Sequence, residues 1–97
     1  MTRNQVFQLI ATEREYQDQT YDPQEKLTSG ATRAERDLDV ASHLVLLRLY
    51  LQKAEEAWNV KGDSVPSLKQ VAKIAAIAVR ALERAGGSDA LLFEGLR

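Results

Sequence analysis

Glu13 stands on a face where a carboxylate needs a reason. In the opening stretch, Val6, Leu9 and Ile10 mark one apolar helical face, with Phe7 at its margin. The next positions on that face are Glu13 and Gln17, with Tyr16 at its edge. Burying a carboxylate without a partner costs several kcal/mol. Two readings follow: Glu13 pairs with Arg48 or hydrogen-bonds Tyr50, or it is a metal ligand or general base. Glu55-Glu56 is a second carboxylate pair, either a solvated edge or a means of holding a divalent cation together with Glu13. The chain has no cysteine, which excludes disulfides and thiolate zinc sites. Its one histidine, His43, serves either as the satisfied partner of a nearby polar group or as a ligand or base. Triad chemistry has little to work with. Any chemistry therefore falls to carboxylates and a hard cation such as Mg²⁺, which takes oxygen ligands and bridges substrate phosphates. Tyr21 could stack on a base and Lys26 could reach a phosphate, although their stretch also reads as a plain solvated connector.

These residues must be carried by helices. Ala, Leu, Glu, Gln and Arg abound, with two prolines and five glycines, which favours an all-α chain. Thr2 and Gln5 form a capping box that starts a helix over about 3–19. Residues 20–31 contain Pro23 and Gly30, have no helical period and read as a long loop. Thr32 and Glu35 form a second capping box, and a long helix runs over about 33–59. Around it, Val40, Leu44, Leu47, Leu51, Ala54 and Trp58 share one face, expected to be a core stripe. A second stripe, Leu38, Val45, Leu46 and Leu49, lies roughly opposite and is expected to meet a second copy. Residues 60–63 form a turn, and Ser64 and Pro66 open a third helix over about 66–85, closed by Gly86-Gly87. Its expected inward face is Leu68, Val71, Ile74, Ala75, Ala78, Val79 and Leu82. Lys73, Arg80 and Arg84 point outward with Ile77 among them, as a solvated row or one that meets phosphate or an acidic surface. A short helix over about 89–94 ends the chain.

Ninety-seven residues make one domain, a helical bundle of three main helices whose core is marginal unless an oligomer enlarges it. Thirteen Lys and Arg against 14 Asp and Glu leave no basic excess, which argues against general nucleic-acid binding. No apolar run is long enough to span a bilayer and no signal-peptide pattern opens the chain, so a soluble cytoplasmic protein is expected. No phosphate-binding glycine loop, dinucleotide fingerprint, HExxH or EF-hand loop occurs, nor a Gly-x-Ser-x-Gly elbow.

Three segments, VFQLIATEREYQDQTYD, LVLLRLYLQKAEEAW and LKQVAKIAAIAVRALERAG, occur in an order that resembles the small MazG-like proteins of phages and mobile elements. These are relatives of the all-α nucleoside triphosphate pyrophosphohydrolases. The resemblance covers about residues 5–86. It implies a bundle assembled as a homodimer or homotetramer, and Mg²⁺-dependent cleavage of a nucleoside triphosphate to the monophosphate and pyrophosphate. Mapped onto this chain, it implies Glu13 and Glu55 as catalytic and metal-binding carboxylates, supported by Asp18 and Glu56. Tyr21, Lys26, Arg48 and Lys73 would bind substrate. The chain departs from the family pattern of Glu-Glu-x-x-Glu followed by Glu-x-x-Asp. Its segments read Glu55-Glu56-Ala57-Trp58-Asn59 and Gln70-Val71-Ala72-Lys73, and Ser42 and Arg48 stand where small relatives carry glutamates. A site that has lost several carboxylates holds Mg²⁺ less well. The alternative is a catalytically inactive helical binding or adaptor module.

Overall fold

The computed structural model describes residues 1–21, 33–62 and 64–85, side chains at 21, 33–38 and 61 excepted. Three helices make up the fold: α1 (Arg3–Tyr21), α2 (Arg33–Lys61) and α3 (Ser64–Ala85). No strand occurs among the described residues, and no helix among them is long and apolar enough to cross a membrane. The all-α expectation is met, with α1 and α2 each two residues longer at their C-terminal ends and α3 starting two residues earlier. The connector with Lys26 and the Tyr21 side chain, the capping residue Thr32 and the C-terminal helix over 89–94 lie outside the described residues.

Each described helix end has a local cause. The Thr2 and Gln5 box forms as expected. Thr2 N donates to Gln5 Oε1 at 2.8 Å and Gln5 N donates to Thr2 Oγ1 at 3.2 Å, which satisfies two amides with no helical partner. At the end of α2, Gly62 takes φ +60°, and its N–H closes on Trp58 O at 2.9 Å. This is a left-handed glycine cap, a backbone conformation that a side chain makes costly. Pro66 sits in the first turn of α3, where its missing N–H has no helical bond to lose.

The central helix is α3. It packs along α2 and more sparingly along α1, while α1 and α2 make no close backbone approach to each other. The α2–α3 pair is an antiparallel hairpin. Ser67 Oγ donates to Ala54 O at 2.9 Å, His43 meets Arg80, and Asp39 meets Arg84, in reverse order along the two helices.

The interior differs from the expected one. Among the described residues the buried apolar ones are Ala54, Ala76 and Ile77, and Arg14, Gln17 and His43 are buried as well. On α2 the line turned to α3 runs through His43, Leu46, Leu47, Tyr50, Ala54 and Ala57. Most of the expected core stripe lies to one flank of that line and is exposed, with Leu44 at 59% and Trp58 at 52%. On α3 the expectation is reversed more fully. Ile77, assigned to the outward face, is buried, and Arg80 and Arg84 turn in toward α2, while Leu68 and Leu82 stand about 60% exposed. The physical reason is that α3 spends two of its sides on α1 and α2. Those sides are the ones carrying Ile77 and the arginines, so the alanine- and leucine-rich side is left facing out.

Candidate functional site

Two clefts flank α1 where it lies on α3. One, of about 510 Å³, is bordered by Phe7, Ile10 and Val79 and by Arg14, Asp18 and Glu83. Three of its charges are spent on one another, while Glu15 stands exposed at its rim. Arg14 donates through Nε and Nη2 to both oxygens of Glu83, at 2.8 and 3.2 Å, and through Nη1 to Asp18 Oδ1 at 2.7 Å. Arg14 is 7% exposed, and this three-residue cluster ties α1 to the last turns of α3. Asp18, expected as a metal ligand, is therefore held by an arginine.

The other cleft, of about 390 Å³, has an apolar floor of Leu9, Val65, Leu68 and Ala72, with Thr12, Glu13, Lys69 and Lys73 around it. Glu13 is half-buried here and makes no hydrogen bond or ion pair among the described residues. The proposed pairing of Glu13 with Arg48 or Tyr50 does not form, because α3 stands between the helices that carry them. Arg48 is exposed on α2. Tyr50 lies instead under two ammonium groups, with Lys53 Nζ 4.7 Å and Lys73 Nζ 5.8 Å from its ring centroid. Lys73 thus borders the cleft and also reaches α2. Beside it, Gln17 is buried and its Nε2 donates to Lys73 O at 3.5 Å.

The sequence candidates divide accordingly. Glu13 and Lys73 come together at one cleft. Glu55 and Glu56 are exposed on α2, on the far side of α3 from α1. Among the described residues no three carboxylate or imidazole groups are gathered so as to hold a metal ion. The donor set of a single copy, one free carboxylate in the cleft with Asp18 already bound to Arg14, does not fit the oxygen-rich cage that Mg²⁺ takes. Lys69 and the Arg14–Glu83 clamp escaped the sequence reading. The Arg14–Asp18 half of the cluster was open to detection from its i,i+4 spacing.

His43 belongs to a separate polar network between α2 and α3. It is 2% exposed. Its Nδ1 lies 2.7 Å from Asp39 O and its Nε2 lies 3.0 Å from Arg80 Nη1. Arginine only donates, so Nε2 accepts and the ring proton sits on Nδ1, donated to the Asp39 carbonyl. The Asp39 carboxylate in turn accepts from Arg84 Nε, 3.1 Å from each oxygen. The ring is fully used as a structural partner, the first of its two sequence readings.

No family model matches the chain, and neither a curated protein nor a solved structure matches it.

Proposed function

We propose that this domain binds a nucleotide or a closely related phosphorylated ligand in the cleft between α1 and α3, as a MazG-like protein whose hydrolytic site is reduced. The observation that carries this reading is the composition of the cleft. An apolar floor suited to a planar base adjoins two lysines suited to phosphate, and a half-buried carboxylate with no partner among the described residues stands beside them. Burial of Glu13 without a partner serves no purpose in stability. A ligand donor such as a base amino group would satisfy it. The family resemblance supplies the choice of nucleotide, the homo-oligomeric state and the cytoplasmic location as parts of the same reading. Pyrophosphohydrolysis is what the resemblance adds, and among the described residues the cleft gives it one carboxylate, Glu13.

Calorimetric titration with a panel of ribo- and deoxyribonucleoside triphosphates tests the reading, with pyrophosphate release measured in parallel under Mg²⁺ and Mn²⁺. Saturable binding is expected, weakened about tenfold (about 1.4 kcal/mol) by Lys69→Ala or Lys73→Ala. Glu13→Gln is expected to alter binding or abolish turnover while changing stability by less than about 0.5 kcal/mol, because the glutamate has no partner to lose. Absence of both heat and pyrophosphate across the panel would overturn the reading. It would favour the second one, a helical assembly or adaptor module, which draws its support from the extent of exposed apolar surface.

A further inference from the structure

We propose that the cleft between α1 and α3 selects guanine among the bases, with Glu13 as the residue that reads it. The proposal rests on the nucleotide reading and deepens it: it names the base that the cleft takes and the side chain that chooses it.

Donors and acceptors are segregated around the cleft. α1 brings two polar side chains to it, Thr12 and Glu13. Thr12 has already committed its one hydroxyl proton, since Oγ1 donates to Gln8 O at 2.9 Å. What that hydroxyl has left for a ligand is lone pairs. A carboxylate only accepts, and Glu13 has no partner among the described residues. Gln17, one turn further along α1, spends its Nε2 on Lys73 O at 3.5 Å, and its buried Oε1 receives no donor. The α1 wall is thus a wall of acceptors. The α3 wall is the reverse, because Lys69 and Lys73 carry ammonium groups that only donate. A ligand that suits both walls has N–H donors at one end and anionic oxygens at the other.

With phosphate on the lysines, the base is the part that meets α1. The bases differ in what their pairing edge presents. Guanine sets two N–H donors side by side, N1–H and the 2-amino group, at a spacing that matches the two oxygens of one carboxylate. Adenine sets its 6-amino group beside the N1 lone pair, and cytosine sets its 4-amino group beside the N3 lone pair. Uracil and thymine hold a single N–H between two carbonyl oxygens. A carboxylate therefore pairs fully with guanine and meets at least one repelling lone pair on every other base. Glu13 is half-buried, so a wrong base also leaves an oxygen withdrawn from water and unpaired, which costs more than a bond merely not gained. The floor of Leu9, Val65, Leu68 and Ala72 offers stacking surface to any base, so discrimination falls to Glu13. A cleft of about 390 Å³ is within the range of small-molecule sites.

The test is calorimetric titration of the full chain with GTP, inosine triphosphate, ATP, CTP and UTP, for wild type, Glu13→Gln and Lys69→Ala. Inosine keeps the N1–H of guanine and lacks only the 2-amino group. GTP is expected to bind about tenfold more tightly than inosine triphosphate, and the remaining three more weakly still. Glu13→Gln is expected to remove the preference, because an amide sets an N–H against guanine's donors. Lys69→Ala is expected to weaken all the triphosphates alike and to keep the preference. The comparison of GTP with inosine triphosphate needs no variant, so it decides the matter whatever Glu13→Gln does to folding. Equal affinity across the panel, or preference for another base, would overturn the proposal and leave the nucleotide reading standing. So would a guanine preference that persists in Glu13→Gln. No binding of any triphosphate would overturn both.

Discussion

At the scale of single residues, this chain places charge inside and leucine outside. Asp39 and Arg84 are joined by bonds of 3.1 Å and are 13% and 10% exposed. The pair is locked to the His43 ring through the Asp39 carbonyl and, one turn along α3, through Arg80. Removing one member of such a pair strands the other, which is costlier than the pair is stabilising. Arg84→Ala is accordingly expected to lower unfolding stability by about 3 kcal/mol, read from urea denaturation followed by circular dichroism. Gly62 gives a smaller, cleaner test. Nothing lies within 4 Å of a Cβ built there, so Gly62→Ala meets strain at φ +60° without a clash. It should cost about 1 kcal/mol. A neutral result would mean that α2 does not end where this cap places it.

At the scale of elements, helix positions were legible in the sequence and the rotation of the helices was not. Capping residues act within one turn, so Thr2 and Gln5 marked the start of α1 without reference to the rest of the chain, while the turn read over 60–63 placed the end of α2 two residues early. Which side of a helix turns inward depends on how many neighbours it has and where they lie. The heptads 44–51–58 and 68–75–82 were read as core because they are the most apolar lines on α2 and α3. Within one copy they lose that place to lines carrying His43, Arg80 and Arg84, whose hydrogen bonds form only between α2 and α3 in this pairing. The second stripe divides as well, with Val45 and Leu49 exposed and Leu46 turned to α3. Of the candidate site, Glu13 was legible because its position breaks an apolar period. Lys69 was not, since a lysine among polar neighbours has no distinguishing context until a cleft forms beside it.

At the scale of the whole molecule, the homo-oligomer carried by the proposed function would make stability a property of concentration. A folded state that requires two chains gains stability with each increase in protein concentration by mass action. The melting temperature of the wild-type chain should therefore rise as concentration is raised from 1 to 100 µM. A melting temperature independent of concentration would point to a self-sufficient monomer.

The position of α3 between two helices that do not meet has a consequence for how the molecule opens. The C-terminal half of α1 is fastened through Arg14 to Glu83 and through Gln17 to the Lys73 carbonyl, and the N-terminal half lies along α3 on a short apolar line, with Phe7 60% and Leu9 43% exposed. Peeling it away breaks no contact between α2 and α3. Backbone amides of α1 are therefore expected to exchange with deuterium faster than those of α2 and α3, through a partial opening that leaves the hairpin intact. Arg14→Ala should widen that gap. Uniform exchange across all three helices would show that the chain opens only as one unit.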